Sequence, residues 1–205
     1  APITVIVQQP LGDNVIGDDQ TICSGGISMQ ITGTMPSGGS GTYAYQWQSS
    51  LNQFSWGNIS APQGTGINYT PPVLTNSIYY RRLVTGGACS ASTSIVVHIQ
   101  VDPPIGNNTL ISNQTICRGA NASPITSLNL TGGNNTYSYQ WESSSNSNAW
   151  SLIPDATNHS YDPGAPVNTL YFRRTVVSGS CFSRSDTVVV QINELVSQNT
   201  IQADQ

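Results

Sequence analysis

The sequence contains no lysine, and only 8% of its residues are charged, against the ~25% that is usual in soluble domains. Six arginines and ten acidic residues leave a net charge of −4. No basic patch is dense enough to neutralise a phosphate backbone, so nucleic acid is excluded as an expected partner. Isopeptide cross-links, which need a lysine, are excluded by the same absence.

Long apolar runs and catalytic motifs are also missing. No run approaches the ~20 residues of a membrane helix, so we expect no membrane span in this sequence. Phosphate-binding loops, zinc-protease motifs and serine-hydrolase motifs do not occur. We therefore predict a protein that is not an enzyme and uses no cofactor or metal. A calcium ion at Asp102 is an alternative, but the equivalent residue at the preceding junction is Gln8, which is not acidic.

The apolar residues form short β-rich runs such as "ITVIV", "ISMQIT", "YAYQW" and "SIVVHIQV". Gly, Pro, Asn and Ser separate these runs, and no helical periodicity is present. This pattern is typical of an all-β sandwich or barrel.

One half of the sequence repeats the other. A spacing of 94 residues relates Cys23 to Cys117, Trp47 to Trp141 and Trp56 to Trp150. A spacing of 92 then relates Tyr69 to Tyr161, Arg81 to Arg173 and Cys89 to Cys181. A unit of this length fits an immunoglobulin-like sandwich of ~100 residues. We predict an all-β chain of two tandem immunoglobulin-like β-sandwich domains, arranged end to end.

The ends of the sequence match parts of the same repeat. "TVIVQQPLGDN" (4–14) aligns with "HIQVDPPIGNN" (98–108), and "NTIQADQ" (199–205) matches "NVIGDDQ" (14–20). The predicted segments are the last strand of a preceding repeat (1–9), two immunoglobulin-like repeats (10–102 and 103–194) and the start of a following repeat (195–205). Incomplete strands need partners, so we expect these tails to pack on neighbouring repeats or on other copies of the protein.

A phrase with a central tryptophan occurs in both repeats, as "TYAYQWQSS" (42–50) and "TYSYQWESS" (136–144). Alternation along a strand places Trp47 and Trp141 on the aromatic face, where an indole can fill the space between two sheets. We predict that both are core residues, with a sugar-stacking platform as the alternative. A ligand-facing role stays open for four further aromatics: Trp56, Trp150, Tyr69 and Tyr161.

Two arginine pairs lie in predicted strands, within "IYYRRLV" and "LYFRRTV". One arginine of each pair must point toward the core, where an unpaired guanidinium is costly. Stacking on a tryptophan lowers that cost. We therefore predict an arginine–tryptophan stack in each repeat, formed from Arg81, Arg82, Arg173 and Arg174. A ligand-binding role for these arginines is the alternative.

The four cysteines allow three disulfide connectivities. We predict the pairing that keeps each bridge inside its own repeat, Cys23–Cys89 and Cys117–Cys181. The spacings do not fit a zinc site. Regular cysteine pairs in a β-rich chain favour an oxidising, extracellular location.

Several of these motifs together resemble a known group of proteins. "QTIC", "YQWQSS" and "YYRR", followed by a cysteine after a glycine-rich turn, are similar to the immunoglobulin-like repeats of giant Bacteroidota surface proteins, including adhesins exported by the type IX system. The resemblance covers residues 10–194. It implies a non-enzymatic repeat of a cell-surface adhesin, stalk or filament. The alternative is a carbohydrate-binding accessory module, for which surface glycans would be partners.

Overall fold

The computed structural model describes residues 2–194. The chain divides into two compact units, which we call unit 1 (Ala1–Pro103) and unit 2 (Pro104–Gln205). Apart from one 3-10 turn at Gln63–Thr65, regular structure in the described residues is entirely β. Within this part of the chain, no helix has the length and apolar character to cross a membrane.

Unit 1 is built on a six-stranded sheet. Its strands are β1 (Gln20–Cys23), β2 (Ala44–Ser50), β3 (Gly57–Asn58), β4 (Ile78–Thr85), β5 (Ser92–Thr93) and β6 (Val97–Asp102). The order across the sheet is β1-β6-β4-β2-β3, and β5 also pairs with β4. The first and last strands, β1 and β6, are parallel neighbours, and the other pairs are antiparallel.

Unit 2 repeats this arrangement. Its strands are β7 (Leu110–Ile111), β8 (Gln114–Cys117), β9 (Thr126–Ser127), β10 (Ser138–Ser144), β11 (Ser151–Leu152), β12 (Leu170–Ser178), β13 (Cys181–Arg184) and β14 (Val188–Asn193). The main sheet has the order β8-β14-β12-β10-β11, with β13 on β12, and β8 is parallel to β14. A separate two-stranded sheet joins β7 to β9.

The second layer of unit 1 is held by isolated bridges instead of a continuous ladder. These bridges are Gly12 to Ser37, Ile16 to Gly33 and Ile31 to Tyr69. The core lies between the layers and contains Ile16, Ile31 and Tyr69 from one side with Trp47, Tyr80, Val97 and Ile99 from the other. Unit 2 has a matching core around Ile125, Trp141, Phe172, Val188 and Val190. Each unit is therefore a two-layered β-sandwich.

Two predicted strands do not form among the residues that the structure describes. In "ISMQIT" (27–32) only Ile31 makes a bridge, while Ile27 and Met29 are exposed. Residues 3–7 form no strand with any residue that the structure describes, and the side chains of Ile3, Val5, Ile6 and Val7 are 80–92% exposed. The predicted start of a following repeat, 195–205, lies outside the described residues.

The bridge at Ile31 leads to a prediction about stability. Ile31 is 1% exposed, whereas Met29, two residues earlier, is 74% exposed. Ile31→Ala leaves a cavity in the core of unit 1 and should lower the free energy of unfolding by about 2–5 kcal/mol. Met29→Ala is the matched control and should change it by less than about 0.5 kcal/mol. Urea unfolding of both variants checks this, and equal losses would contradict the assigned core.

Candidate functional site

The arginine pairs divide between the two faces of each main sheet. Side chains alternate along β4, so Arg82 points inward opposite Trp47, and Arg81 points outward opposite Gln48. β12 repeats the division, with Arg174 opposite Trp141 and Arg173 opposite Glu142. The sequence predicts that one arginine of each pair faces the core. These are Arg82 and Arg174, and both are 0% exposed.

The buried guanidinium of Arg82 is held by neutral acceptors. Its Nε donates to Asn14 Oδ1 at 3.0 Å, its Nη1 to the Ile67 carbonyl at 2.7 Å and its Nη2 to the Thr34 carbonyl at 3.0 Å. The guanidinium carbon lies 5.2 Å from the centre of the Tyr45 ring, which adds a cation–π contact. Burial lowers the pKa of Arg82, because desolvation disfavours the charged form.

Unit 2 builds the same site with a different set of acceptors. Arg174 Nε and Nη2 both donate to Asn108 Oδ1, at 3.2 and 2.9 Å, and Nη2 also donates to Ser127 Oγ at 2.9 Å. Its Nη1 donates to the His159 carbonyl. Burial lowers the pKa of Arg174 as well.

Gly33 shows how closely the second layer approaches the unit 1 guanidinium. A Cβ placed on Gly33 would lie 1.9 Å from Arg82 Nη1, so any side chain here would displace the arginine. Unit 2 has Ser127 at the equivalent position, 94 residues later, and its hydroxyl accepts a bond from Arg174. The residue at this position therefore differs between units, while the buried arginine is present in both.

The outward arginines stack on the second tryptophan of each unit. The Arg81 guanidinium carbon lies 4.2 Å from the Trp56 ring centre, and that of Arg173 lies 4.1 Å from Trp150. Each indole is fixed by its own N–H, which donates to the Gln53 carbonyl in unit 1 and to the Ser147 carbonyl in unit 2. One face of each indole is thus covered by a guanidinium.

The acceptor beside the outward arginine differs between the units. Arg81 Nε donates to Gln48 Oε1 at 2.7 Å, whereas Arg173 Nε lies 2.6 Å from the Glu142 carboxylate. Glu142 is also 3.9 Å from Arg184 Nε. The outward arginine is therefore hydrogen-bonded to a neutral amide in unit 1 and ion-paired with a carboxylate in unit 2.

The remaining predicted aromatics belong to the cores. Trp47 and Trp141 are 0% exposed, and their indole N–H groups donate to the carbonyls of Gly66 and Asn158. Tyr69 is 6% exposed and its ring centre lies 5.6 Å from that of Trp47. The interpretation of Tyr69 as ligand-facing is wrong, because its bridge to Ile31 turns the ring inward. Tyr161 packs on Trp141 in the same way, 5.5 Å between ring centres, so its ligand-facing interpretation is also wrong.

The disulfide prediction is wrong as well. Cys23 and Cys181 are disulfide-bonded, whereas Cys89 and Cys117 are free thiols. Each predicted pair, Cys23–Cys89 and Cys117–Cys181, thus contains one bonded and one free cysteine.

The topology of unit 1 explains why Cys23 cannot reach Cys89. Cys23 ends β1 beside Asp102, at the end of the sheet where β4 begins. From Ile78, β4 runs away from that end for seven residues to Thr85, a distance of about 23 Å, and Cys89 lies beyond it. A disulfide requires Cα atoms within about 7 Å. In unit 2 the pairing of Cys117 with Asn193 and of Cys181 with Ser178 separates the two cysteines similarly.

In residues 2–194 no three side chains of His, Cys, Asp or Glu come together as a metal ion would require. His98 stacks on Tyr79 with 4.4 Å between ring centres, and His159 Nε2 lies 3.1 Å from Ser127 Oγ. Sequence reasoning missed the amides that hold the buried arginines, Asn14 and Asn108. Their spacing of 94 residues was the available signal.

Comparisons with known proteins agree with this architecture. A family model described as a domain of unknown function, DUF8696, matches the chain twice, over residues 13–103 and 106–194. A search of curated proteins gives no match. The extracellular domains 3–5 of Drosophila OTK are similar to this chain with a TM-score of 0.52 and 10% identity, covering 88% of this chain and 60% of that structure.

Two further solved structures are similar at lower scores. Sidekick-1 immunoglobulin domains 1–5 give a TM-score of 0.48 at 8% identity, covering 92% of this chain and 40% of that structure. Murine CEACAM1b gives 0.41 at 13% identity, with 90% and 100% covered. The chain thus spans 60% of the OTK structure and 40% of the Sidekick-1 structure. At 10% identity the likeness to OTK shows the fold alone, and with the two matches of the family model the prediction of two tandem immunoglobulin-like β-sandwich domains is confirmed.

The buried arginine gives a stability prediction with a control on the neighbouring residue. Arg82→Met leaves the Asn14, Thr34 and Ile67 acceptors buried without donors, so the free energy of unfolding should fall by about 3–5 kcal/mol. Arg81→Met removes only a half-exposed stack and should cost about 1 kcal/mol. Urea unfolding of the two variants measures the difference. Similar losses for both would show that the inward site does not hold the layers together.

The cysteine states predict a labelling pattern. Iodoacetamide added to denatured, unreduced protein should alkylate Cys89 and Cys117, while Cys23 and Cys181 should be labelled only after reduction. Peptide mass mapping reads out all four sites. The control is Cys89→Ser, which should leave the labelling of the other three unchanged. Protection of Cys89 or Cys117 before reduction would contradict the assignment.

Proposed function

We propose, from the premise that this chain belongs to the DUF8696 family and carries two of its domains, that it is a non-enzymatic, extracellular structural repeat of a bacterial surface adhesin, stalk or filament. The immunoglobulin-like fold supports a binding or structural module. The disulfide supports an oxidising environment outside the cell. The motifs "QTIC", "YQWQSS" and "YYRR" support a large Bacteroidota surface protein as the parent.

The observation that carries the proposal is the exposed segment 3–7. Its residues 4–7 are the sequence counterpart of His98–Val101, which in unit 1 form most of β6 and lie between β1 and β4. In contrast, the apolar side chains of residues 3–7 are 80–92% exposed. A β-prone segment with unpaired backbone groups is a template for strand addition. We infer that its partner is a neighbouring repeat or another copy of the protein.

Residues 8 and 9 fix the direction from which this segment leaves unit 1. The Gln8 side chain accepts a bond from the Ala88 amide at 3.0 Å, and the Gln9 carbonyl accepts one from the Gly39 amide at 2.8 Å. The segment is therefore held at its base by unit 1 and presented for pairing beyond it.

The alternative, a carbohydrate-binding module that stacks sugars on aromatics in both units, has less support. Trp56 and Trp150 each have one face covered by an arginine, and Tyr69 is buried. The arginines leave at most one open face on each indole and the buried Tyr69 adds none, so little aromatic surface remains for a sugar.

Strand addition predicts that the chain associates through residues 3–7. Sedimentation analysis should show concentration-dependent association of the wild type, and Val5→Glu should abolish it, because a charge cannot be buried in the new pairing. Val73→Glu is the control, since Val73 is also exposed, at 58%, but lies outside the segment. A monomeric wild type at high concentration, or an equal effect of Val73→Glu, would contradict the proposal.

A further inference from the structure

The four cysteines are of two kinds, according to their place in the repeat. The first kind ends the first strand of the main sheet, and comprises Cys23 on β1 and Cys117 on β8. The second kind follows the strand that carries the arginine pair, and comprises Cys89 and Cys181. Cys23 and Cys181 are disulfide-bonded, whereas Cys89 and Cys117 are free. Each free cysteine is therefore the repeat counterpart of a bonded one.

Strand register shows which residue lies beside a cysteine of the first kind. β1 runs parallel to β6, and Cys23 is paired with Asp102. In unit 2, β8 runs parallel to β14, and Cys117 is paired with Asn193. A cysteine of the first kind thus lies about 5 Å from the end of the last strand of its own repeat, the spacing of neighbouring strands.

The segment at the start of the chain carries the counterpart of this position. Residues 4–14 align with 98–108, so Gln8 corresponds to Asp102. As the last strand of a preceding repeat, this segment would pair with the first strand of that repeat in the register of β1 and β6. The first cysteine of the preceding repeat would then lie beside Gln8.

Cys89 is located at the same point. Its thiol donates to the Gln9 carbonyl at 3.3 Å and lies 3.8 Å from Gln8 Oε1. The Ala88 amide donates to that Gln8 oxygen at 3.0 Å, which fixes the side chain next to the thiol. A surface cavity opens beside Cys89, and the residue is partly exposed. The second cysteine of unit 1 therefore contacts the residues beside which the first cysteine of a preceding repeat would lie.

We propose that disulfides link successive repeats, each joining the first cysteine of one repeat to the second cysteine of the next. Cys89 is the attachment point for the repeat to which residues 3–7 belong, and Cys117 bonds the second cysteine of a following repeat. Cys23 and Cys181, one of each kind in successive repeats, are in the bonded state that this rule requires. The inference rests on the proposed role as one repeat of a surface array, and it adds a covalent link to strand addition.

Formation of each link is an oxidation that removes two electrons from two thiols. The Cys89 thiolate attacks a low-molecular-weight disulfide, forms a mixed disulfide and releases one small thiol. The thiolate of the preceding repeat then attacks the Cys89 sulfur and releases the second small thiol. The small disulfide is thus reduced to two thiols, which take up the two protons that the cysteines lose.

A peptide with the sequence of residues 14–23, NVIGDDQTIC, tests the link on the full chain. Its cysteine carries thionitrobenzoate as a mixed disulfide, so attack by a protein thiolate on the peptide sulfur joins the two and releases the coloured thionitrobenzoate anion. Pairing with residues 3–7 should raise the local concentration of the peptide cysteine at Cys89, which should react at least about tenfold faster than Cys117. Absorbance gives the rate, and peptide mapping identifies the modified cysteine.

A scrambled peptide that keeps cysteine at its last position is the control. Without strand pairing, access decides the reaction, so this peptide should favour Cys117, which is exposed, over Cys89, which is only partly exposed. Val5→Glu should lower the rate of NVIGDDQTIC at Cys89 to that of the scrambled peptide. Val73→Glu, on an equally accessible part of the surface, should leave the rate unchanged. Circular dichroism of both variants separates lost reaction from lost folding.

The same peptide carrying Cys23→Ser separates this inference from strand addition. Its binding to the wild type, measured by fluorescence anisotropy and lost in Val5→Glu, would support strand addition alone. Equal rates for NVIGDDQTIC and the scrambled peptide, or preferential reaction of NVIGDDQTIC at Cys117, would overturn the disulfide inference. Either result would do so whether or not the serine peptide binds.

Discussion

A guanidinium buried without a counter-ion is the constraint around which each unit is organised. All of its N–H groups need acceptors, and in unit 1 these come from Asn14, Thr34 and Ile67, which lie in three separate segments of the second layer. Arg82 itself belongs to β4, so one side chain ties the main sheet to the loosely bridged layer opposite. In antibody domains a disulfide packs beside the core tryptophan. Here Arg82 lies beside Trp47, and Cys23 ends the edge strand β1.

The same constraint explains how a chain with so few charges uses them. Two of the six arginines, Arg82 and Arg174, are fully buried, and two more lie flat on indole rings. Neutral acceptors leave each buried cation uncompensated, which is costly unless every donor is satisfied. Both units solve this with an asparagine and a backbone carbonyl, from Ile67 or His159, whereas the third acceptor changes from the Thr34 carbonyl to the Ser127 hydroxyl.

Much of the architecture could be predicted from residue spacing, because alternation along "YAYQW" and "YYRRLV" fixes which side chains share a face. The expected arginine–tryptophan stack concerned the core-facing arginine, whereas the close stacks are made by the outward arginines, Arg81 and Arg173, on the second tryptophan of each unit. The backbone acceptors of Arg82 could not be predicted. Every residue has a backbone carbonyl, so the sequence does not indicate which ones will accept a hydrogen bond. The prediction of the disulfide pairing was wrong for a related reason. Spacing shows that Cys23 and Cys89 share a repeat, but only the strand register places them at opposite ends of the sheet.

The parallel pairing of β1 with β6 has a mechanical consequence. Force applied to the two ends of unit 1 would pull β1 by its first residue and β6 by its last, in opposite directions along their common axis. The four residue pairs from Gln20–Ile99 to Cys23–Asp102 would then be loaded together in shear, and would not open one at a time as in a hairpin pulled apart. Unit 2 has the same geometry between β8 and β14. Each domain would therefore resist tension along its length through parallel strand pairs whose hydrogen bonds must break together.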